Sequence, residues 1–459
     1  MMKKFFYFLL LTTLTLFSAC DDDNDEIQGG ENGGGDYTTY VVTIQLLNSE
    51  NKPLDSFEGI KVRLYDTKET VYDAVANAKG EASFKVPAGV YRATASYKKK
   101  GVNDFSTLYD WSVSSIEVTN QWNESSLVEL KLTESKAGNL IIKELYVGGC
   151  PKNDGSGNYH MDKYVILYNN SDEQVELKDL CLGMVQPYNA HATNRDYVGG
   201  KLIYEEEDWI PAGTGIWFYP EALVVEARKE VVIALNNAIV NTNTYSNSVD
   251  FNSPDYYCTY DITAYNHHLY YSAPDASIPK NHYWSAVHYG KGSAWSLSNS
   301  SPAFFIFQTQ GISPRDFATL EEHTNYYGGN PTSTNTRKKI PTEWILDGIE
   351  VFSTSSDKNQ KRLTSKVDAG QTYLTNKLGY SSYRNVDKEA TEAIQANEGK
   401  LVYNYDKGTP IDNKINTDPS GIDAEASIKN GAVIVYQDTN NSTNDFHQRN
   451  EASLRSRNQ

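Results

Sequence analysis

The sequence predicts a mainly all-β protein, and three observations carry that prediction. Short runs rich in β-branched and aromatic residues recur along the 459 residues, separated by Gly, Asn, Asp, Ser and Pro clusters that suit turns. Tyr (33) and Trp (7) are plentiful, and broad rings pack well across neighbouring strands. Only Arg384 to Ala396 reads as a helix, and it lacks a strong apolar stripe. The length exceeds that of one typical domain, so two β domains are expected, over residues 37–136 and 137–459.

The chain opens with Lys3-Lys4, the apolar stretch Phe5 to Phe17 and the small-residue ending Phe17-Ser18-Ala19-Cys20, which together read as an export signal over residues 1–19. The apolar stretch is shorter than the roughly 18 to 20 residues that a membrane-spanning helix needs. The pattern resembles a bacterial lipoprotein signal, which implies acylation at Cys20. Residues 20–36 then form a tether. Asp21-Asp22-Asp23-Asn24-Asp25-Glu26 places five acidic groups in six residues, and Gly29 to Gly35 is too glycine-rich to bury anything. An acidic run directly after such a cysteine resembles the surface-export signal of Bacteroidota lipoproteins. That resemblance implies an outer-membrane protein, lipid-anchored and facing the cell exterior.

The first domain shows Tyr40 to Leu47, Ile60 to Tyr65, Ala82 to Val86, Val90 to Ala95, Val113 to Val118 and Leu127 to Leu132 as short strands at close spacing. Such spacing argues for a small antiparallel β-sandwich. Asn77 to Tyr91, with Gly80 and Gly89 in its turns, resembles the signature turn and strand pair of the transthyretin-like or carboxypeptidase-regulatory-like sandwich. These modules are usually spacers or docking units.

The second domain is organised around Lys163 to Leu182. Tyr164 to Tyr168 is a strand, Asn169 to Glu173 a turn, and Val175, Leu177, Leu180 and Leu182 a second strand, so a hairpin is expected, flanked by the strand Leu140 to Tyr146. The Tyr168-Asn169-Asn170 strand end, the Leu177 to Leu182 strand, Ser296-Leu297-Ser298-Asn299 before Phe304 to Phe307, and Asp347-Gly348 before the last strand resemble the lamin-tail domain. The resemblance implies a larger immunoglobulin-like β-sandwich. Compared with that pattern, Tyr188 to Glu207 and Asn236 to Ala294 are insertions, and loops on a rigid sandwich commonly carry the variable chemistry. The tail is expected to pack back on this domain, with Gly431 to Tyr436 as a strand. The whole arrangement resembles an uncharacterised family of Bacteroidota surface lipoproteins.

Charge and cysteine content narrow the function classes. The formal net charge is −17, which repels phosphate backbones, so nucleic acid is not an expected partner. Beyond Cys20 only Cys150, Cys181 and Cys258 remain, enough for at most one intramolecular disulfide. No Gly-x-Ser-x-Gly elbow, phosphate-binding loop, dinucleotide fingerprint or Cys-x-x-Cys pair occurs, and no catalytic residue is expected.

Two candidate sites fall in or near the longer insertion. Trp209, Tyr270, Tyr271, Tyr283, Trp284 and Trp295 could present flat rings and polar edges to a glycan or another amphipathic ligand, although such rings equally serve cores. His267, His268, His282 and His288 could bind a metal or, with tyrosine, haem iron, although their spacing matches no closed zinc motif. No cofactor is required by the sequence. Asn153 to Asn158 with Asp162, and Asp412, Asn416, Asp418 and Asp423, are oxygen-rich but lack the register of a calcium loop. The function expected is non-catalytic binding as an accessory of an outer-membrane uptake system, with an outer-membrane transporter as partner and a glycan or metal complex as ligand. A structural or adhesive surface protein and a glycan-active hydrolase are the alternatives.

Overall fold

A computed structural model describes residues 38–457 apart from 49–53, 55, 69, 101–104 and 412–415. The export signal, Cys20 and the acidic tether lie outside the described residues. Those described form a mainly β structure with short helices of at most six residues. None of these helices is long and apolar enough to cross a membrane.

The N-terminal strands are β1 (Thr39–Leu46), β2 (Lys61–Asp66), β3 (Val71–Val75), β4 (Glu81–Pro87), β5 (Gly89–Lys100), β6 (Phe105–Val118), β7 (Leu127–Leu130) and β8 (Leu132–Gly138). They make a three-stranded sheet in the order β4-β1-β7 and a five-stranded sheet in the order β3-β2-β5-β6-β8. β4 alternates strictly: Ala82, Phe84 and Val86 point into the core while Ser83 and Lys85 face water. That period of two marks a strand with one buried face. Val42, Ile44, Val62, Leu64, Phe84 and Trp111 meet in one core between the sheets. Trp111 Nε1 donates to the Leu47 carbonyl at 2.8 Å, so its polar edge is satisfied inside. Gly80 turns the chain into β4 at φ +84°, where a side chain would strain the backbone and a Cβ would press on the Leu46 carbonyl.

After β9 (Leu140–Tyr146) the chain builds a sheet of twelve strands. From one edge it runs Thr372–Leu374, Ile345–Ser353, Ala303–Gln308, Leu180–Met184, Gly215–Phe218 and Tyr283–His288, then Tyr257–Thr259, Glu230–Ala234, Tyr164–Asn169, β9, Ser381–Arg384 and Phe446–Arg449. The sheet folds back on itself. Leu182, Trp217, Ile306 and Ile349 of one half share a core with Leu145, Val165, Leu167 and Ile233 of the other. Each half is also covered on its outer face. Phe218, Phe305 and Phe307 pack beneath Tyr204, Phe317 and Trp344, and Tyr164 and Ile166 beneath Val249, Phe251 and Leu454. Ile141 and Tyr168 lie beneath Ile422, Ile434 and Tyr436 of the tail. Burial on both faces is why Leu140–Tyr146 and Tyr164–Asn169 are apolar runs with every residue buried, not alternating ones.

Three expectations are corrected. Lys163 to Leu182 is not a hairpin: Tyr164–Asn169 pairs with β9 and Glu230–Ala234, whereas Val175–Leu177 pairs with Leu223–Val225 and Leu180–Met184 with Ala303–Gln308 and Gly215–Phe218. The buried Asn169 side chain explains the departure. Its amide donates to Glu173 O at 2.7 Å and Val225 O at 2.9 Å, drawing the chain across to the Leu223–Val225 strand. The helix expected over Arg384 to Ala396 is confined to Lys388–Glu392, because Arg384 is a strand residue and Asp387 caps the helix by accepting from Ala390 N. Gly431 is a turn residue at φ +80°, and Ala432 to Tyr436 joins no ladder beyond an isolated bridge between Tyr436 and Val386. Side chains replace the missing strand partners: Val433 N donates to Asn397 Oδ1, Val435 N to Thr391 Oγ1 and Tyr436 N to Asn170 Oδ1.

Buried ion pairs fasten the tail to the sheet. Arg384, with no exposed surface, donates from Nε to the Ile142 carbonyl at 2.6 Å and from one terminal nitrogen to Asp347. Its other terminal nitrogen reaches Gln437 O and Asp438 Oδ1, with Asp445 at 3.6 Å. Removing one partner of such a buried set strands the others without compensation. Arg384→Ala is expected to destabilise the protein by about 3–5 kcal/mol, whereas Lys339→Ala, which breaks a solvent-exposed pair with Glu207, should change stability by less than about 1 kcal/mol. Chemical denaturation of the two variants checks the contrast.

Candidate functional site

The aromatic residues of the insertion are largely core. Trp284 and Trp295 have no exposed surface, and Trp209 and Tyr271 keep 5% each. Trp284 packs against Tyr219 at 5.6 Å. Trp295 Nε1 donates to Gly215 O at 3.0 Å, and Tyr271 OH donates to Trp295 O at 2.9 Å. Trp209 lies against Tyr204 with its indole N–H on Glu207. The reason is topological: Asn236 to Ala294 is not a surface loop but supplies Tyr257–Thr259 and Tyr283–His288, the parallel strands that join the two halves of the large sheet. Trp209, Tyr271, Trp284 and Trp295 therefore offer no free ring face, which corrects the expectation of an aromatic platform there. Tyr270 and Tyr283 are half-buried.

The histidines are dispersed. His267 and His268 stack on each other near the loop tip, 5.5 Å apart. His282 stacks on Tyr257 at 4.1 Å with Nδ1 facing the Tyr256 carbonyl, and His288 lies against Tyr265. His282 ends the short 3-10 turn that leads into the strand Tyr283–His288, and His288 ends that strand, so an extended segment separates the two, about 20 Å at 3.3 Å per residue. Among the described residues no three His, Cys, Asp or Glu side chains gather as a metal-ligating group, so the four histidines do not assemble a metal or haem site in this conformation. The oxygen-rich segments serve the backbone: Asp418 accepts from Val386 N and Ser420 N, and Asp423 caps the helix Ala424–Lys429. Asp412 lies outside the described residues.

The thiols and the carboxyls with raised proton affinity are sealed inside, whereas Glu207 and Glu389, held low by their hydrogen-bond partners, are exposed. Cys150, Cys181 and Cys258 are buried free thiols, and burial raises all three above the ordinary thiol range. Such thiols are poor nucleophiles. Asp162 accepts from Tyr146 OH at 2.9 Å and Ser248 Oγ at 2.7 Å, and burial pushes its carboxyl up to about 6. Burial likewise carries Asp418 to about 6 and Asp445 to about 7, and raises Asp347 in spite of Arg384 beside it. His447 is driven the other way, to about 3, by burial and by Arg449.

Accessible concavity lies elsewhere, between the N-terminal five-stranded sheet and the tail, in a cleft of about 750 Å3. Strand alternation positions one wall: Val62 and Leu64 of β2 point into the core, so Lys61 and Arg63 face outward, with Thr94 and Ser96 of β5 beside them. The opposite wall is the helix Lys388–Glu392 with its cap Asp387, together with Ser420, Gln437, Thr439 and Asn444. Lys61 bridges to Glu389 across the gap, and Lys98 approaches Asp438 at 3.4 Å. Asp438 also faces Arg384, so the same buried network that anchors the tail sets the far wall of the cleft. Sequence reasoning missed this site, because Lys61 and Glu389 are 328 positions apart and neither belongs to a motif.

Comparison with known proteins adds a match to one family model and little chemistry. Residues 228–453 match the model of DUF4876, a protein family of unknown function. The matched segment includes the bridging strands and the tail wall of the cleft, while the sheet wall precedes it. No curated protein matches the chain. A crystal structure of a DUF4876 family protein from Bacteroides thetaiotaomicron is similar over 89% of this chain and 94% of that one, at 20% identity and a TM-score of 0.48. A DUF3823 family protein from Parabacteroides merdae is similar over 33% of this chain and 67% of that one, at 14% identity and a TM-score of 0.16.

Two outcomes follow from these placements. Trp284→Ala should cost about 3–5 kcal/mol in a denaturant titration, as a core deletion does; a loss of only a few tenths would mean that the ring is not packed as described. The second concerns pH. A carboxyl with a raised folded pKa makes the folded state bind more protons than the unfolded chain, so stability falls as pH rises between the unfolded and folded values. Asp162, Asp347, Asp418 and Asp445 act in this sense. His447, and to a lesser degree His160 and His288, are held neutral and act in the opposite sense below pH 6.5. The four carboxyls outweigh them, and the melting temperature should fall from pH 5 to pH 7; a steady rise over that range would contradict the assignment.

Proposed function

We propose that the protein is a lipid-anchored surface protein that binds a ligand or partner without catalysis, as an accessory of an outer-membrane uptake system. One observation carries the non-catalytic part. Asp162, Asp347, Asp418 and Asp445, whose proton affinities are displaced as those of catalytic acids often are, lie fully inside the core in hydrogen bonds that serve the fold. The accessible cleft is instead built from ion pairs, amides and hydroxyls. Such a surface holds a ligand in place, and the one displaced carboxyl named in its lining, Glu389, is held below its ordinary range by its bond to Lys61, which keeps it ionised and paired instead of poised as an acid.

The anchoring part rests on the sequence: an export signal ending at Cys20, then an acidic and glycine-rich tether long enough to hold the folded part clear of a bilayer. Cys20→Ala is expected to abolish labelling by radioactive palmitate and to shift the protein from the outer-membrane fraction to the soluble one. Affinity capture of the lipidated protein from native outer membranes should bring down an outer-membrane transporter. Unchanged labelling of the variant would overturn the anchor. Release of reducing sugar from a glycan panel by the purified protein, lost on substitution of one carboxylate, would replace the binding reading with the hydrolase alternative.

A further inference from the structure

We propose that the cleft between the five-stranded sheet and the tail is the ligand site, and that it takes a neutral, hydroxyl-rich ligand of the oligosaccharide class. The inference rests on the non-catalytic binding reading and gives it a place and a chemistry. Its volume, about 750 Å3, falls within the range of small-molecule sites, roughly 300–1,000 Å3.

Charge balance selects the ligand class. Lys61, Arg63 and Lys388 line the cleft against Asp387, Glu389 and Glu392, so the lining carries no formal excess of either sign. Most of these charges are also engaged. Lys61 holds Glu389, Arg63 lies 3.3 Å from Asp73 on the neighbouring strand, Asp387 caps its helix and Glu392 accepts from Tyr403 OH at 2.8 Å. An anion or a cation entering here would meet as many like charges as opposite ones and would have to break existing pairs. A neutral polyol meets neither obstacle. Carboxylates accept from its hydroxyls, and guanidinium, ammonium and amide groups donate to them, in charge-assisted bonds stronger than neutral ones.

The remaining lining points the same way. Thr94, Ser96, Ser420, Gln437, Thr439 and Asn444 add hydroxyl and amide groups on both walls. Apart from Tyr97, the apolar lining is small and aliphatic, from Ile60, Ala95, Val386, Ala393 and Pro419. Tyr97 contributes no platform here, since it follows Ser96 on β5, faces the other side of the sheet and stacks on Tyr109.

The test is calorimetric titration of the purified folded part with three probe sets: neutral oligosaccharides (α- and β-glucans, mannans, xylans), anionic oligogalacturonates and cationic chitosan oligomers. At least one neutral set is expected to bind, with the charged sets weaker by tenfold or more. Ser96→Trp, which fills the cleft from the sheet wall, should weaken that binding at least tenfold while leaving the melting temperature close to that of the parent. Should Ser96→Trp fail to fold, Arg63→Ala, at a half-exposed position, is expected to weaken binding several-fold. Preferential binding of a charged set, neutral binding that both variants leave intact, or no binding by any set overturns the proposal. In the last case, recovery of a transporter from outer membranes would leave the broader binding reading standing, so the two fail separately.

Discussion

The structure depends on burying its central strands on both faces. Leu140–Tyr146 and Tyr164–Asn169 have no solvent side, so every polar group on or beside them needs a partner inside the protein. Arg384 meets that demand for β9 by bonding to the Ile142 carbonyl while Asp347 accepts from Ile142 N at 2.6 Å. Arg362, paired with Glu350, and Arg337, paired with Asp196, likewise hold the loop carbonyls of Pro187 and Ser301 and of Gln186. Planar guanidinium groups suit this task, since each offers several donors in a fixed fork and keeps its charge when buried. The ion pairs are the consequence of a sheet enclosed in a second layer of loops and tail, and they hold that layer in register.

The same enclosure explains why the long insertion is structural. A sandwich normally leaves its two sheets joined only by connecting loops, but here Tyr257–Thr259 and Tyr283–His288 pair in parallel and make the two halves one hydrogen-bonded sheet. These strands turn part of their side chains into the core, and Cys258, Trp284 and Ala286 are buried there. The ligand surface proposed above therefore lies off the insertion, at the join between the N-terminal sheets and the tail. There the packing is polar and incomplete, and ion pairs such as Lys61 with Glu389 span a gap in place of a core.

Much of this was legible in the amino-acid order, residue by residue. The alternation at Ala82, Phe84 and Val86 and the unbroken run Tyr164 to Tyr168 each announced a strand, because side-chain direction and burial are local properties of an extended chain. Gly431 to Tyr436 misled for an instructive reason. Its composition is that of a strand, yet the amides of Val433, Val435 and Tyr436 donate to the Asn397, Thr391 and Asn170 side chains, and no local pattern distinguishes a ladder from such substitutes. The turn at Asn169 to Glu173 misled similarly, since turn chemistry shows that the chain bends but not which strand it meets next.

By itself, then, the sequence determined the all-β class, the approximate strands, the acidic charge and the pattern at Cys20 on which the anchoring proposal rests. These follow from composition and spacing over a few residues. Only the tertiary structure decided which strands pair, which tryptophans are core and where a cleft opens, because those depend on contacts between distant segments such as Lys61 and Glu389 or Ile142 and Arg384. Hydrophobic burial rewards any arrangement that covers the apolar runs. The choice among such arrangements falls to buried polar groups, each of which must find its partner.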